Sequence, residues 1–330
     1  MLTAFHTTTF MTSDERRRAS GLPKIERKEM IEHLLITYPT FDGMLHFIRK
    51  FNYPAGDDAG HGTGAIGGML GNTGVGKSDI CKFYCNQWQP LTTPDGMQYP
   101  VVYLDATNKT TPTTLCDRVF KATGALSTPG RIKGDAYVTR TVERLVKLGC
   151  RLFILDDAQF ILLDRNRNQS GLFYSFLKEL VDTERVNILL VGDVSIEEYM
   201  VANPPLQRRG DFPHADLAPL RDEGDEFEQF RLLLRKIDNR LPFAESSLLD
   251  SREFAEDLHL FSQGALGRVM NLIRYAGYQA LDENTSHITR EHLMIQANLR
   301  RRPRDTYRYF ERVPTPTKRG LRGSIGGAEQ

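Results

Sequence analysis

The stretch Gly71-Asn72-Thr73-Gly74-Val75-Gly76-Lys77-Ser78 decides how the rest of the chain is interpreted. It fits the pattern G-x-x-x-x-G-K-[ST] at every fixed position. Its glycines allow left-handed backbone conformations, so that the loop N–H groups can wrap around phosphate oxygens. The Lys77 ammonium is expected to reach the β- and γ-phosphates of a nucleotide, and the Ser78 hydroxyl is expected to bind Mg²⁺. The eight residues therefore predict an ATP site.

The sequence on either side of this loop supplies the context that a phosphate-binding loop needs. The apolar run from Ala65 to Leu70 precedes it and predicts a buried strand. An amphipathic helix is predicted to begin at Lys77-Ser78, so that its positive dipole end faces the same anion. A glycine-rich turn that matches by chance would lack this strand–loop–helix arrangement, so the sequence favours phosphate binding.

Strands and helices alternate after the loop. Continuous apolar runs at residues 101–104, 151–155 and 187–191 predict strands that are buried on both faces. Helices are predicted after Pro112, over 135–148 and over 171–181. This alternation predicts an α/β fold with a parallel sheet covered on both sides. Beyond Leu220 only helical periodicity continues, to about Asn298, which predicts a small all-helical second domain.

Carboxylates follow two of the predicted strands. Asp156 and Asp157 end the run RLFILDD, where Asp156 suits a Mg²⁺ contact and Asp157 could polarise an attacking water. The alternative, a pair that only caps the next helix, is less favoured behind a phosphate-binding loop. Asp193 ends the run NILLVGD. It could sense the γ-phosphate, or it could cap the helix that starts near Ser195, and both interpretations stay open.

Hydrolysis of a phosphoanhydride also needs a cation near the charge that develops in the transition state. Arg208 and Arg209 follow Asn203-Pro204-Pro205-Leu206-Gln207 and could reach the nucleotide of a neighbouring subunit. Arg268 begins a helix of the second domain, which could swing it over the γ-phosphate. A solvated basic turn and a surface ion pair explain these arginines equally well.

Composition and charge exclude several classes of protein. The chain has 330 residues, 43 Lys plus Arg against 42 Asp plus Glu, and a formal net charge of +1, so it is not a uniform polycation. With 40% hydrophobic and 26% charged residues, global disorder is not expected. The sequence shows neither a long apolar run nor a secretory signal, so no membrane association is expected. Its four cysteines lack metal-site spacing and predict buried free thiols, which fits a cytoplasmic location.

The order GNTGVGKS, RLFILDDAQ, NILLVGD, PLQRR and GALGRVMNLI resembles the AAA+ ATPases of the TnsC/TniB group, the ATP-dependent target-selection regulators of transposons. The resemblance covers roughly residues 25 to 300, and the length is similar to the compact forms in CRISPR-associated transposons. It implies an AAA+ P-loop NTPase fold with a parallel central sheet and a helical lid. The implied segments are a charged, partly helical N-terminal segment (1–55), an α/β nucleotide-binding domain (56–220), a lid (221–299) and a basic flexible tail (300–330).

The resemblance assigns roles position by position. Lys77 and Ser78 match the Walker A residues, and the other matches are Asp156 (Walker B metal carboxylate), Asp157 (the position of the usual catalytic Glu), Asp193 (sensor 1), Arg208 or Arg209 (arginine finger) and Arg268 (sensor 2). Two of these positions depart from the family, where Glu and then Asn or Thr are usual. Because Asp is one methylene shorter than Glu, slow hydrolysis is expected.

The family also implies partners. It forms ATP-driven homo-oligomers, as a ring or a helical filament, on double-stranded DNA, and these link target-recognition proteins to a transposase. The expected DNA contacts are Lys109 and Thr110 in the loop after the second sheet strand, and Arg131 and Lys133 in the next loop, although solvated turns explain each equally well. The tail carries nine basic and three acidic residues and could dock a partner, contact DNA or only aid solubility. The N-terminal segment could be a partner adaptor.

Two other functions compete with a regulator of transposition. An ExeA-like secretion-associated AAA+ ATPase shares much of this core but is expected to carry a membrane span or a peptidoglycan-binding region after it, and the sequence shows neither. An ATP-binding scaffold that does not hydrolyse is suggested by Asp157.

Overall fold

A computed structural model describes residues 4–52, 64–127, 130, 134–163 and 167–311, without the side chains of residues 167–170. Its centre is a five-stranded parallel sheet of strand order β4-β5-β6-β1-β7, beside a separate two-stranded antiparallel hairpin, β2-β3. The strands are β1 (Ile66–Leu70), β2 (Leu91–Thr93), β3 (Gly96–Gln98), β4 (Val101–Asp105), β5 (Leu152–Asp156), β6 (Asn187–Gly192) and β7 (His214–Asp216).

The middle strands are buried on both faces, as their apolar runs predict. Every residue of β1, β5 and β6 is buried. Alternate side chains enter two different cores: Ile154 and Leu189 belong to one, and Phe153 and Leu190 to the other. Because β1 lies between β6 and β7, the loop that follows Leu70 leaves the sheet in the middle of its carboxyl edge.

Helices cover both faces of this sheet. The first core is formed with α3 and α4, and the second with α5, α6, α8 and α9. The helices up to residue 207 are α1 (Ser13–Ser20), α2 (Lys24–Glu32), α3 (Pro39–Asn52), α4 (Lys77–Asn86), α5 (Pro112–Ala122), α6 (Asp135–Lys147), α7 (Gln159–Leu162), α8 (Arg167–Asp182), α9 (Ser195–Ala202) and α10 (Pro204–Gln207).

The helical lid predicted beyond residue 220 is present. It consists of α11 (Gly224–Asp238), α12 (Arg252–Ser262), α13 (Leu266–Asp282) and α14 (Arg290–Leu299). Its interior is apolar, with Phe230, Leu258 and Leu272 fully buried. The amphipathic periodicity that predicts these helices is therefore satisfied by helix–helix packing.

The N-terminal segment is divided between the two bodies. α2 packs on lid helix α13, where Ile31 contacts Gly277, whereas α3 packs on α4 and β6 of the core. Arg16 of α1 is only 8% exposed and donates to Asn239 Oδ1 at 3.1 Å, beyond the end of α11. The first two helices are thus part of the lid's surface.

The beginning of the predicted flexible tail differs from the prediction. Phe310 is only 1% exposed, and its backbone N–H donates to Asp257 Oδ2 of α12 at 2.9 Å. Tyr309 packs edge-on against Phe261 with 5.4 Å between ring centroids. Residues 307–310 therefore pack on the lid, because their aromatic side chains outweigh the basic, Pro-containing composition around them. The tail from residue 312 lies outside the described residues.

The cysteines and the apolarity of the helices are two further features of the fold. The four cysteines are free thiols, with Cys81, Cys116 and Cys150 buried and Cys85 partly exposed. In the described part of the chain, none of the helices has the length and apolarity that crossing a membrane would require.

Candidate functional site

The loop between β1 and α4 has the backbone geometry of a phosphate cradle. Gly74 and Gly76 adopt φ values of 84° and 103°, in the left-handed region that favours glycine. Helix α4 begins directly at Lys77, so its free N–H groups face the space enclosed by the loop. The loop can therefore surround an anion with N–H groups.

Lys77 is the cation of this cradle. Its side chain is largely buried, and Nζ donates to the carbonyl oxygens of Gly71 at 2.7 Å and Asn72 at 3.0 Å. Burial lowers the Lys77 pKa, while the negative charges of Asp156, Asp157 and Asp193 oppose that shift. One ammonium thus faces three carboxylates, an arrangement that disfavours a phosphate chain unless a further cation is bound.

Asp156 lies at the end of β5 and is held by three donors. Tyr103 Oη donates to Oδ2 at 2.8 Å, the Asp157 N–H donates to Oδ1 at 2.9 Å, and the Ser78 hydroxyl is a third partner. Burial raises the Asp156 pKa, which these hydrogen bonds partly offset. A hydroxyl and a carboxylate beside a phosphate cradle form the oxygen donor set that suits Mg²⁺. Among the described residues no cluster of three or more His, Cys, Asp or Glu could enclose a metal, so phosphate oxygens would complete such a site.

Asp157 has a left-handed backbone conformation and a side-chain partner, Gln159, that was not among the predicted site residues. Its φ is 52°, unusual for a residue with a side chain, and its Oδ1 accepts a hydrogen bond from Gln159 Nε2 at 3.2 Å. The other amide atom, Gln159 Oε1, is buried without a hydrogen-bond partner. The run DDAQ contains Gln159, but its polar character alone did not distinguish it from a surface residue.

Asp193 lines the cavity and also accepts hydrogen bonds at the start of α9. It lies on the wall of the cavity beside Asp157. Its Oδ1 also accepts the Ser195 N–H at 2.9 Å and a hydrogen bond from the Ser195 hydroxyl, at the start of α9. The carboxylate is therefore anchored to the helix while it faces the cavity.

These groups line a cavity of about 540 Å³ between the core and the lid. The phosphate loop and the carboxylates form one wall, and lid residues Gly267, Met270, Asn271 and Arg274 form another. Residues of the N-terminal segment complete the lining of this cavity. An apolar cleft, whose lining includes Leu35, Ile36 and Val75, adjoins it. The sequence analysis missed this N-terminal contribution; the apolar run at residues 34–36 before Tyr38-Pro39 is its only local signal.

The structure separates Arg268 from this cavity. The Arg268 side chain passes beside Gly74, but its guanidinium lies over the Phe261 ring at 5.2 Å, and Nη1 is buried without a hydrogen-bond partner. Burial lowers its pKa. Arg274, two turns further along α13, lines the cavity instead, where Glu32 forms an ion pair with it at 3.5 Å.

The two candidate finger arginines differ in their surroundings. Arg209 Nε donates to Asp182 Oδ1 at 2.7 Å, and Arg209 also bonds the Pro205 carbonyl. The Arg208 side chain is exposed and has no ion pair with any residue that the structure describes. Neither arginine lies on the cavity of its own subunit.

The candidate DNA loop follows β4. Lys109 is exposed at its tip, whereas Thr110 is buried and its hydroxyl accepts the Thr107 N–H at 2.8 Å. Thr110 thus stabilises the loop from within. Arg131 and Lys133 lie outside the described residues.

Known proteins share this architecture. Residues 61–200 match the family model described as AAA domain. No curated protein sequence matches the chain. Similar solved structures include the ORC2 protein of Aeropyrum pernix (17% identity, TM-score 0.56, covering 80% of this chain and 68% of that chain) and the ORC1 protein of Aeropyrum pernix in complex with DNA (18%, 0.58, 80% and 66%). Cdc6p from Pyrobaculum aerophilum is also similar (15%, 0.53, 80% and 68%).

At these identities the likeness concerns the fold alone, and the chain spans about two thirds of the length of these structures. The strand order agrees with it, since the phosphate loop follows the strand that separates β6 from β7. The matched domain and the sheet together show that this chain has the AAA+ P-loop fold, with a parallel five-stranded sheet covered by helices.

Proposed function

We propose that the chain is a Mg²⁺-dependent ATPase with slow turnover. The observation that carries this proposal is the phosphate loop at the junction of core and lid, with Lys77 inside it and the Ser78–Asp156 pair beside it. The apolar cleft at residues 34–36 is suited to an adenine ring, because its lining is mostly apolar and it shares Leu34, Gly76 and Met270 with the cavity.

Each residue of the proposed ATP site would have a distinct role. Lys77 and the loop N–H groups bind the phosphate chain, while Ser78 and Asp156 would hold Mg²⁺, which offsets phosphate charge when bound. Asp157 is the proposed base for an attacking water. Slow turnover is expected because the Asp157 side chain is one methylene shorter than that of the usual Glu.

We further propose that the chain assembles through Arg208 into a ring or filament. Arg208 is exposed and lies away from its own cavity, so it is available to the nucleotide of a neighbouring copy. A contact between two different faces repeats head to tail, which generates rings or helical filaments.

Double-stranded DNA is the proposed template of this assembly. The exposed Lys109 and the Thr107–Thr110 loop could bind phosphates without reading bases. A net charge of +1 does not oppose this, because an oligomer repeats a small basic patch along the duplex. The ORC1 structure with the same fold contains DNA.

The finer assignment rests on the motifs quoted above: we propose that this DNA-bound oligomer regulates transposition and links target-recognition proteins to a transposase. A scaffold that binds ATP without hydrolysis is the second candidate. The short side chain of Asp157 favours this candidate, because its carboxylate reaches less far towards an attacking water than that of Glu.

Electron microscopy with a matched turnover assay tests the proposal. Purified protein is imaged with duplex DNA and either a non-hydrolysable ATP analogue or ADP, and phosphate release is measured with and without DNA. Regular assemblies with the analogue, fewer with ADP, and DNA-stimulated phosphate release are expected. Assemblies without any phosphate release would support the scaffold, and single particles under every condition would contradict both.

A further inference from the structure

Some polar atoms of the residues that line the cavity have no role in the proposed ATPase mechanism. Gln159 Oε1 is such an atom: it is buried, it belongs to a residue on the cavity wall, and it has no hydrogen-bond partner among the described residues. A buried acceptor without a donor destabilises the protein by about 1–3 kcal/mol. An atom kept in this state next to a reaction site calls for a ligand that donates a hydrogen bond.

The orientation of this amide is fixed by its neighbour. Only the NH₂ group can donate to Asp157 Oδ1, 3.2 Å away, so the carbonyl oxygen must point the other way. Gln159 therefore carries an acceptor close to a carboxylate, enclosed in the ligand-free protein. A single water molecule admitted when the nucleotide binds could donate one hydrogen to each.

The strand next to this amide leaves space for it. A Cβ at Gly192, the last residue of β6, would overlap Gln159 Oε1 and would lie 2.6 Å from Ile196 Cδ1. The φ of Gly192 is not positive, so the backbone itself would accept alanine. The glycine is thus required by the position of the Gln159 amide rather than by a turn.

We propose that Gln159 and Asp157 together hold the attacking water, and that Gly192 keeps the place of the Gln159 amide free. The inference rests on the proposed ATP hydrolysis and assigns its catalytic water. The water oxygen forms a bond to the γ-phosphorus while the bond from that phosphorus to the β,γ-bridging oxygen breaks. The electron pair leaves with ADP, and the proton of the water passes to Asp157 and then to solvent. Gln159 thereby compensates for the short side chain of Asp157.

Three variants and one control test this assignment. Gln159→Ala is expected to lower the rate constant of phosphate release about 10²-fold, the range of a lost water-activating group. The dissociation constant of a fluorescent ADP should change less than twofold. Gly192→Ala should lower turnover in the same way, whereas Gly171→Ala, where a Cβ would meet open space, should not.

Two readouts separate a water-holding role from a structural one. Binding of ADP with aluminium fluoride, which mimics the transferring phosphoryl group and its apical water, should weaken in Gln159→Ala while binding of ADP does not. Gln159→Glu places a second carboxylate beside Asp157, so the acidic limb of the pH–rate profile should move to higher pH.

Unchanged or faster turnover in Gln159→Ala would overturn the inference, because the amide would then be irrelevant or would restrain Asp157. Wild-type turnover in Gly192→Ala would overturn the role of the glycine. A parent protein that releases no phosphate under any condition would overturn the proposed hydrolysis, and the inference with it.

Discussion

Lys77 lies among three carboxylates, and this arrangement decides how the site responds to substitution. Its ammonium is held over the loop by two carbonyl oxygens at 2.7 and 3.0 Å, close to where the phosphate chain would bind. The same carboxylates oppose the lowering of its pKa by burial, so the side chain is kept charged. Substitution of Lys77 should therefore affect mainly phosphate binding, and substitution of Asp156 mainly metal binding.

Lys77→Ala should weaken nucleotide binding and abolish ATP-dependent assembly on DNA. We expect the affinity for a fluorescent ATP analogue to fall at least about tenfold, since a charge-assisted hydrogen bond of about 1.5–3 kcal/mol is removed. Lys82→Ala is the matched control, because Lys82 lies on the rim of the same cavity. Normal filaments from Lys77→Ala would contradict the mechanism.

Asp156→Asn should stabilise the ligand-free protein while it removes the response to Mg²⁺. Burial raises the Asp156 pKa above its usual 3.8, so the folded state binds more protons than the unfolded state. The stability of the ligand-free protein should therefore rise as the pH falls through the folded pKa towards 3.8, and this gain should be absent from the variant. Thermal melting from pH 4 to 8, with and without Mg²⁺ and ADP, measures both effects. A lower melting temperature of the variant at pH 7 would show that its lost hydrogen bonds outweigh desolvation.

The sequence predicts which residue types end the strands, but it does not predict which side chains form hydrogen bonds with them. The pattern RLFILDD predicted carboxylates at the carboxyl edge of the sheet, and Asp156 and Asp157 lie there. The roles of Tyr103 and Gln159 depend on the side-by-side arrangement of β4, β5 and β6, which no local pattern specifies.

Among the elements, α10 is followed directly by two neighbouring arginines with different partners. Arg209 is tied to α8 through Asp182, whereas Arg208 has no such contact. An element only four residues long thus presents one anchored and one available cation.

Arg208→Ala should impair turnover in the assembled protein, and Arg209→Ala should serve as its control. We expect phosphate release with DNA to fall by a factor of about 10³, because a cation supplied from a neighbouring subunit typically contributes that much or more. Arg209→Ala loses only a partly exposed ion pair, for which about 0–1 kcal/mol of stability is expected. Nucleotide affinity of the isolated chain should be unchanged in both variants. The reverse order of effects on turnover would assign the finger to Arg209.

The loop after β4 makes a prediction of its own. Lys109→Glu should weaken binding to duplex DNA at unchanged nucleotide affinity, and the slope of log affinity against log salt should fall by about one for each lost phosphate contact per subunit. Fluorescence anisotropy at several salt concentrations measures this, and Lys121→Glu, at an exposed position of α5, is the control. A loss of nucleotide affinity alone would mean that the loop does not bind DNA.

Long apolar elements were predicted better than short polar ones. The buried strands agree with their apolar runs to within one residue at each end, and the lid helices lie between residues 224 and 299, in the region where helical periodicity is predicted. The hairpin β2-β3 was not predicted, because its strands have three residues each and most of their side chains are exposed. Its turn, Pro94-Asp95-Gly96, carries the only local signal.

Over the whole molecule, the N-terminal segment joins the lid to the core. Helices α1 and α2 lie on the lid, and α3 lies on the core. The contact between Arg16 and Asn239 spans 223 positions of sequence, which explains why the sequence analysis described this segment only as a charged, partly helical adaptor.

Arg16→Ala should loosen the N-terminal segment from the lid. The variant leaves the backbone carbonyl of Asp238 without the donor that now lies 3.3 Å away, so a loss of about 1–3 kcal/mol in the free energy of unfolding is expected. Arg17→Ala is the control, since that side chain is 79% exposed and about 0.5 kcal/mol or less is expected. Urea denaturation measures the difference, and hydrogen exchange over residues 4–32 shows where protection is lost. Equal stability of the two variants would contradict the packing described.

The division of the N-terminal segment has a mechanical consequence. If the lid rotated relative to the sheet, α1, α2 and the aromatic residues 307–310 would move with the lid, while α3 would keep its position on the core. The hinge would then lie between Glu32 and Pro39, in a segment whose residues His33 and Leu34 line the cavity. Fluorescent dyes attached at positions 17 and 147 would lie on opposite sides of that hinge. The distance between them, measured by energy transfer, would report the rotation of the lid.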